Sequence, residues 1–112
     1  MNIQIIGTKK CSETRKAVRF FQERGVKAHF MDLNERAVSP GELDSILRKF
    51  RADDLIDTKS ASYVKKGFAW REYDPREEIL ADPGLMRTPV IRSEGRITLG
   101  YDPDTWTKWL KG

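Results

Sequence analysis

A chain of 112 residues fits one domain of about 100–200 residues and leaves no room for a separate cofactor-binding domain. Charged residues make up 34% and hydrophobic residues 38%, so the core must be economical. Even so, the 3 Trp, 3 Tyr and 5 Phe, each able to bury about 150–250 Å², argue against disorder. The net charge of +4 comes from interspersed signs with no block of like charge, which speaks against a nucleic-acid-binding arm or a polybasic membrane patch.

Ile3-Gln4-Ile5-Ile6, ended by Gly7, reads as a buried strand. From Ser12 the period becomes helical: Thr14, Ala17, Val18 and Phe21 share a face, Arg15, Lys16, Arg19, Gln22 and Glu23 point outward, and Gly25 is a stop. Residues 26–33, with Val26, Ala28, Phe30 and Met31, read as a second strand parallel to the first, completing a right-handed βαβ unit. Ser39-Pro40-Gly41-Glu42 is a capping box with Pro at the first helical position, followed by Leu43, Ile46, Leu47 and Phe50 at helical spacing. Short helical turns are expected at 53–56, at 60–66 closed by Gly67, and at 76–81 before Asp82-Pro83-Gly84, so residues 39–86 form a helical insertion. Residues 90–92 and 96–99 predict a hairpin around Ser93-Glu94-Gly95, and Asp102-Pro103 caps a last helix carrying Trp106, Trp109 and Leu110. The order βαβ, helical insertion, ββα describes an α/β protein with a mixed central sheet of thioredoxin type. In a sheet of this kind the site lies where the first strand runs into the first helix.

Cys11 stands there, within Gly7-Thr8-Lys9-Lys10-Cys11-Ser12-Glu13-Thr14-Arg15-Lys16. A lone cysteine is more often a small buried hydrophobe than a nucleophile. Polar flanks and a loop entering a helix point the other way, because backbone N–H groups and the positive end of the helix dipole stabilise a thiolate. Lys9, Lys10 and Arg15 add positive charge, Glu13 opposes it, and the Thr14 hydroxyl can turn back toward the sulfur. With 1 Cys and 1 His the chain can form neither an internal disulfide nor a zinc site of preferred ligands, so no metal and no bound cofactor is expected. His29, in the second strand, is not expected to be a catalytic base. The run of Ile3, Ile5 and Ile6 before Lys9 and Lys10 is too short for a signal peptide, and nothing approaches the ~18 apolar residues of a membrane helix. The expected location is the cytoplasm, with no membrane and no direct nucleic-acid partner.

At these residues the chain resembles the ArsC-like arsenate reductase family and its Spx-type regulatory branch, a variant of the glutaredoxin and thioredoxin fold. The resemblance rests on Cys11, Thr14 and Arg15 with Lys16-Ala17, on Leu55-Ile56-Asp57-Thr58-Lys59 in the insertion, on Thr88-Pro89-Val90-Ile91, and on Gly100 before the last helix. It implies a catalytic Cys11 assisted by Thr14 and Arg15, a cis Thr88-Pro89 bond beside the cysteine, and a substrate or thiol site of Lys9, Lys10, Arg87, Thr88 and Pro89. It also implies glutathione as co-substrate and glutathione or glutaredoxin as partner. The family supplies oxyanion-binding arginines where this sequence has Asp57, Thr88 and Tyr101. Three functions follow from the resemblance: a single-cysteine thiol oxidoreductase, an arsenate reductase proper, or a Spx-like regulatory protein that docks a protein partner. Thr14 occupies the second position of the Cys-x-x-Cys pair found in that last branch, so a switch based on an internal disulfide is excluded.

Overall fold

The computed structural model describes residues 2–111. In chain order its elements are β1 (Ile3–Gly7), α1 (Ser12–Glu23), β2 (Ala28–Asp32), α2 (Pro40–Leu47), α3 (Ala61–Lys65), α4 (Pro75–Ala81), β3 (Val90–Ser93), β4 (Arg96–Leu99) and α5 (Pro103–Lys111), with 3-10 turns at Ala52–Leu55, Phe68–Trp70 and Pro83–Leu85. The chain divides into two compact units, residues 1–32 with 88–112, and residues 33–87.

The first unit holds a four-stranded sheet in the order β2-β1-β3-β4. β1 and β2 are parallel, with Ile3 beside Ala28 and Gly7 beside Asp32, while β3 runs antiparallel to both β1 and β4. Alternation puts Ile3 and Ile5 on one face of β1, and Ile91, opposite Ile5, joins them. Against that face pack Ala17, Phe20 and Phe21 of α1 and Trp106 and Trp109 of α5. The Trp106 ring meets Phe20 and Phe21 at centroid distances of 5.2 and 5.3 Å, and its indole N–H donates to Thr98 Oγ1 at 2.7 Å. The buried face of α1 is Thr14, Ala17, Phe20 and Phe21, whereas the helical period read from sequence gave Val18 in place of Phe20. Val18 is half-buried at the margin of this core.

The hairpin is tighter than read from sequence. Ser93 pairs with Arg96, leaving a Glu94-Gly95 turn with φ of 51° and 86°. Positive φ at both central residues suits the right-handed twist of the flanking strands and favours glycine at the second. Asp102 accepts the Thr105 N–H at 3.3 Å at the start of α5.

The second unit is held by caps and a small core. Ser39 Oγ accepts the Glu42 N–H at 3.2 Å and Glu42 Oε1 accepts the Ser39 N–H at 2.9 Å, the reciprocal pair of a capping box. Ser60 caps α3 and Asp74 caps α4. Leu43, Ile46, Leu55, Phe68, Ile79 and Leu85 are buried, and Arg76 reaches Asp44 at 2.7 Å. Among the described residues no helix is long and apolar enough to cross a membrane.

Candidate functional site

The sheet brings two distant segments together. β1 ends at Gly7 and leads into the loop before α1, and because β3 is antiparallel, Val90 at its start lies beside Ile6 at the end of β1. Thr88 and Pro89, just ahead of β3, therefore arrive next to Cys11. The Thr88-Pro89 bond is cis, Pro89 is buried, and the Cys11 thiol faces the Thr88 carbonyl with Sγ to O of 3.7 Å.

Cys11 is the N-cap of α1, with φ −75° and ψ 118°, and the Arg15 N–H donates to its carbonyl at 3.1 Å. At an N-cap, serine or aspartate oxygens normally accept the orphan N–H groups two and three residues on. A neutral thiol is a poor acceptor and makes no such cap, but a thiolate is a strong one. Burial pushes the half-buried thiol up; against it, the Thr14 and Thr88 hydroxyls and the backbone N–H groups of Thr14 and Glu13 favour the anion, and the net effect holds the Cys11 pKa below its ordinary value.

The basic side chains act differently from the sequence reading, which made them a charge cloud around the sulfur. Arg15 turns its guanidinium onto the carbonyls of Lys9 and Lys10 at 2.9 and 3.1 Å, clamping the loop, and Lys9 and Lys10 are exposed. None of the three is among the interactions that lower the thiol. Hydrogen-bond donors do that work. Sequence reasoning anticipated Thr14 but gave Thr88 only a backbone role. Its hydroxyl was invisible as a donor because residues 11 and 88 meet only through the β1–β3 pairing.

Arg87 is exposed and belongs to the second unit, where its N–H donates to the Leu55 carbonyl at 2.6 Å. Asp57 lies in the same unit, its carboxylate accepting the Lys59 N–H at 2.9 Å. Tyr101 is 43% exposed, edge-on to Trp106 at 5.6 Å with the Lys16 ammonium 5.8 Å from its ring. A groove of about 390 Å³ lies along α1 and is lined by Lys9, Thr14, Arg15, Val18, Arg19 and Phe30, among others. No group of three or more metal-ligating side chains occurs among the described residues.

A βαβ unit extended by an antiparallel hairpin, with a cysteine capping the first helix beside a cis-proline, defines a thioredoxin-like α/β protein. The ArsC family model matches residues 6–109, and the chain belongs to that family. It is 28% identical to the global transcriptional regulator Spx 2 of Oceanobacillus iheyensis over 116 aligned positions, covering 98% of this chain and 84% of that protein. Among solved structures, an arsenate reductase from Vibrio cholerae superposes with a TM-score of 0.82 at 17% identity, covering 96% of this chain and 97% of the other. The glutaredoxin-like NrdH-redoxin from Escherichia coli matches with a TM-score of 0.53 at 14% identity, covering 96% and 93%. At these identities the two structures establish the shared fold.

Proposed function

We propose that the protein is a single-cysteine thiol oxidoreductase whose Cys11 thiolate exchanges with disulfides and is regenerated by an external thiol, glutathione or the thiol of a glutaredoxin. The supporting observation is the position of Cys11 Sγ, half-buried at a helix N-cap where two hydroxyls and two backbone N–H groups favour the anion. The thiolate attacks one sulfur of a disulfide R–S–S–R′, forming Cys11–S–S–R and expelling R′–S⁻, which takes a proton from water. A glutathione thiolate then attacks the R sulfur, forming G–S–S–R and returning the Cys11 thiolate. The internal donors assist that second step by making Cys11 a good leaving group. The exposed loop of Lys9 and Lys10 and the cis-proline edge at Thr88-Pro89 are the surfaces assigned to the incoming thiol, and the expected location is the cytoplasm. The test is trapping: oxidised glutathione should add one glutathione to the wild-type mass and none to Cys11→Ser, whereas an unmodified wild-type mass contradicts the reading.

A Spx-like regulatory role, with a protein partner in place of a substrate, is favoured by the identity to Spx 2 across nearly the whole chain. It predicts a chain whose partner binding survives Cys11→Ser, while the oxidoreductase reading predicts turnover that does not. Arsenate reduction proper has less support, because the positions where the family places arginines hold Asp57, Thr88 and Tyr101.

A further inference from the structure

β1 ends in a glycine that its own backbone does not require. Gly7 is a strand residue paired with Asp32, and it is not among the glycines with positive φ. Its φ and ψ are therefore open to any residue, while glycine in a strand weakens it. What demands glycine is a neighbour. A Cβ at position 7 would strike the Thr14 side chain, clashing with Oγ1, standing 2.7 Å from Cγ2 and 3.1 Å from Cβ. The close atoms are the threonine Cβ and both of its heavy substituents, so rotating the side chain still leaves one of those substituents against the added carbon.

Thr14 is itself unusual. It is 1% exposed, and its Oγ1 is a buried polar atom with no hydrogen-bond partner among the described residues. A buried hydroxyl left unpaired is destabilising. Thr14 is the third residue of α1 after the N-cap Cys11, the position whose side chain can reach back to the N-cap, and its hydroxyl is among the groups that favour the thiolate. The charged neighbours on the loop and helix, Lys9, Lys10, Glu13 and Arg15, are exposed, and the Arg15 guanidinium is held by the Lys9 and Lys10 carbonyls. From the β3 side the thiol meets Thr88.

We infer that Gly7 is a positioning residue for the Cys11 thiolate: the missing Cβ at the end of β1 is the seat that holds the Thr14 hydroxyl toward Sγ. The inference rests on Cys11 being the reactive thiol, and it makes the glycine part of the site through Thr14 alone. A purely structural role for Gly7 would alter stability without altering the titration of the sulfur.

The test is a double-mutant cycle read as the pH midpoint and rate of Cys11 alkylation in the full chain, with folding followed by circular dichroism. Gly7→Ala and Thr14→Ala should each move the midpoint up toward the ~8.5 of a free thiol and slow alkylation at pH 7 severalfold. In the double variant Gly7→Ala should add nothing further, because no hydroxyl remains to displace. A folded Gly7→Ala protein with the wild-type midpoint overturns the inference, as does an equal shift in the Thr14→Ala background. If Gly7→Ala does not fold, recovery of folding in Gly7→Ala/Thr14→Ala, together with a raised midpoint in Thr14→Ala, supports the seat, and failure to recover overturns it. A wild-type midpoint at the free-thiol value removes the reactive-thiol reading and this inference with it. A low wild-type midpoint left unchanged by Gly7→Ala removes this inference alone.

Discussion

At the scale of residues, the site is one sulfur and four donors. The Cys11 thiol is raised by burial and lowered by more, through the Thr14 and Thr88 hydroxyls and the N–H groups of Thr14 and Glu13. The sign follows directly: each donor favours the charged form, so removing one raises the pKa and shrinks the thiolate fraction near neutral pH. Alkylation of Cys11 by iodoacetamide across pH should have its midpoint below the ~8.5 of a free thiol, and Thr88→Val should move that midpoint upward. A midpoint that Thr88→Val leaves in place would remove Thr88 from the set of donors. Lys9→Ala and Lys10→Ala should leave it almost unmoved, since both side chains are exposed and water screens them. The placement of Cys11 was legible from sequence because a strand, a short polar loop and a helical period follow one another within a few residues. The Thr88 hydroxyl was not, because residue 88 meets the sulfur across 77 positions, where its backbone carbonyl accepts from the thiol.

Among the elements, local signals were read well and face assignments less so. The capping box at Ser39 and Glu42, the αL glycine closing α3 and the proline that opens α5 are each written in a few neighbouring residues, and the structure has each. The α1 face was misread at one of its four positions because the core that selects Phe20 over Val18 is built by Trp106, more than eighty residues away. Two elements allow direct tests. Glu42 is hydrogen-bonded by Arg36 and by Ser39, which hold its carboxyl down at about 2, against about 4.3 unfolded. With the folded value the lower one, the contribution is complete above about pH 5 and is lost as pH falls toward 2. Glu42→Gln should cost about 1 kcal/mol near neutral pH and much less at pH 2.5, the Arg36 partner being too exposed to add much. Chemical denaturation at the two pH values measures both. Between β4 and α5, Thr98→Val leaves the buried Trp106 N–H without its 2.7 Å acceptor and should lower stability by about 1–3 kcal/mol.

For the whole molecule, belonging to the ArsC family does not select among reduction of arsenate, exchange with disulfides and regulation. The residues around the thiol do favour one. Arsenate carries negative charge that must be met by fixed donors where it develops, and losing one such donor costs about 10²–10³ in rate. Beside Cys11 this chain presents the Thr88 hydroxyl, and the Arg15 guanidinium is occupied by the Lys9 and Lys10 carbonyls. Arsenate turnover with glutathione and glutaredoxin should therefore stay near background. Robust turnover abolished by Cys11→Ser would mean that other cations have replaced the family arginines. A disulfide brings no such charge to the sulfur and asks only for an accessible thiolate with a good leaving-group pKa.

The central claim is that Cys11 is an activated thiol that turns over disulfides with an external thiol, and steady-state reduction of a glutathionylated peptide, followed by glutathione consumption, addresses it most directly. The account predicts saturable turnover that is lost in Cys11→Ser, weakened in Thr14→Ala, and rising with pH through the Cys11 alkylation midpoint. Turnover indistinguishable from Cys11→Ser at every pH, in a protein whose thiol nevertheless alkylates as an anion, would contradict it and leave the fold serving a binding role.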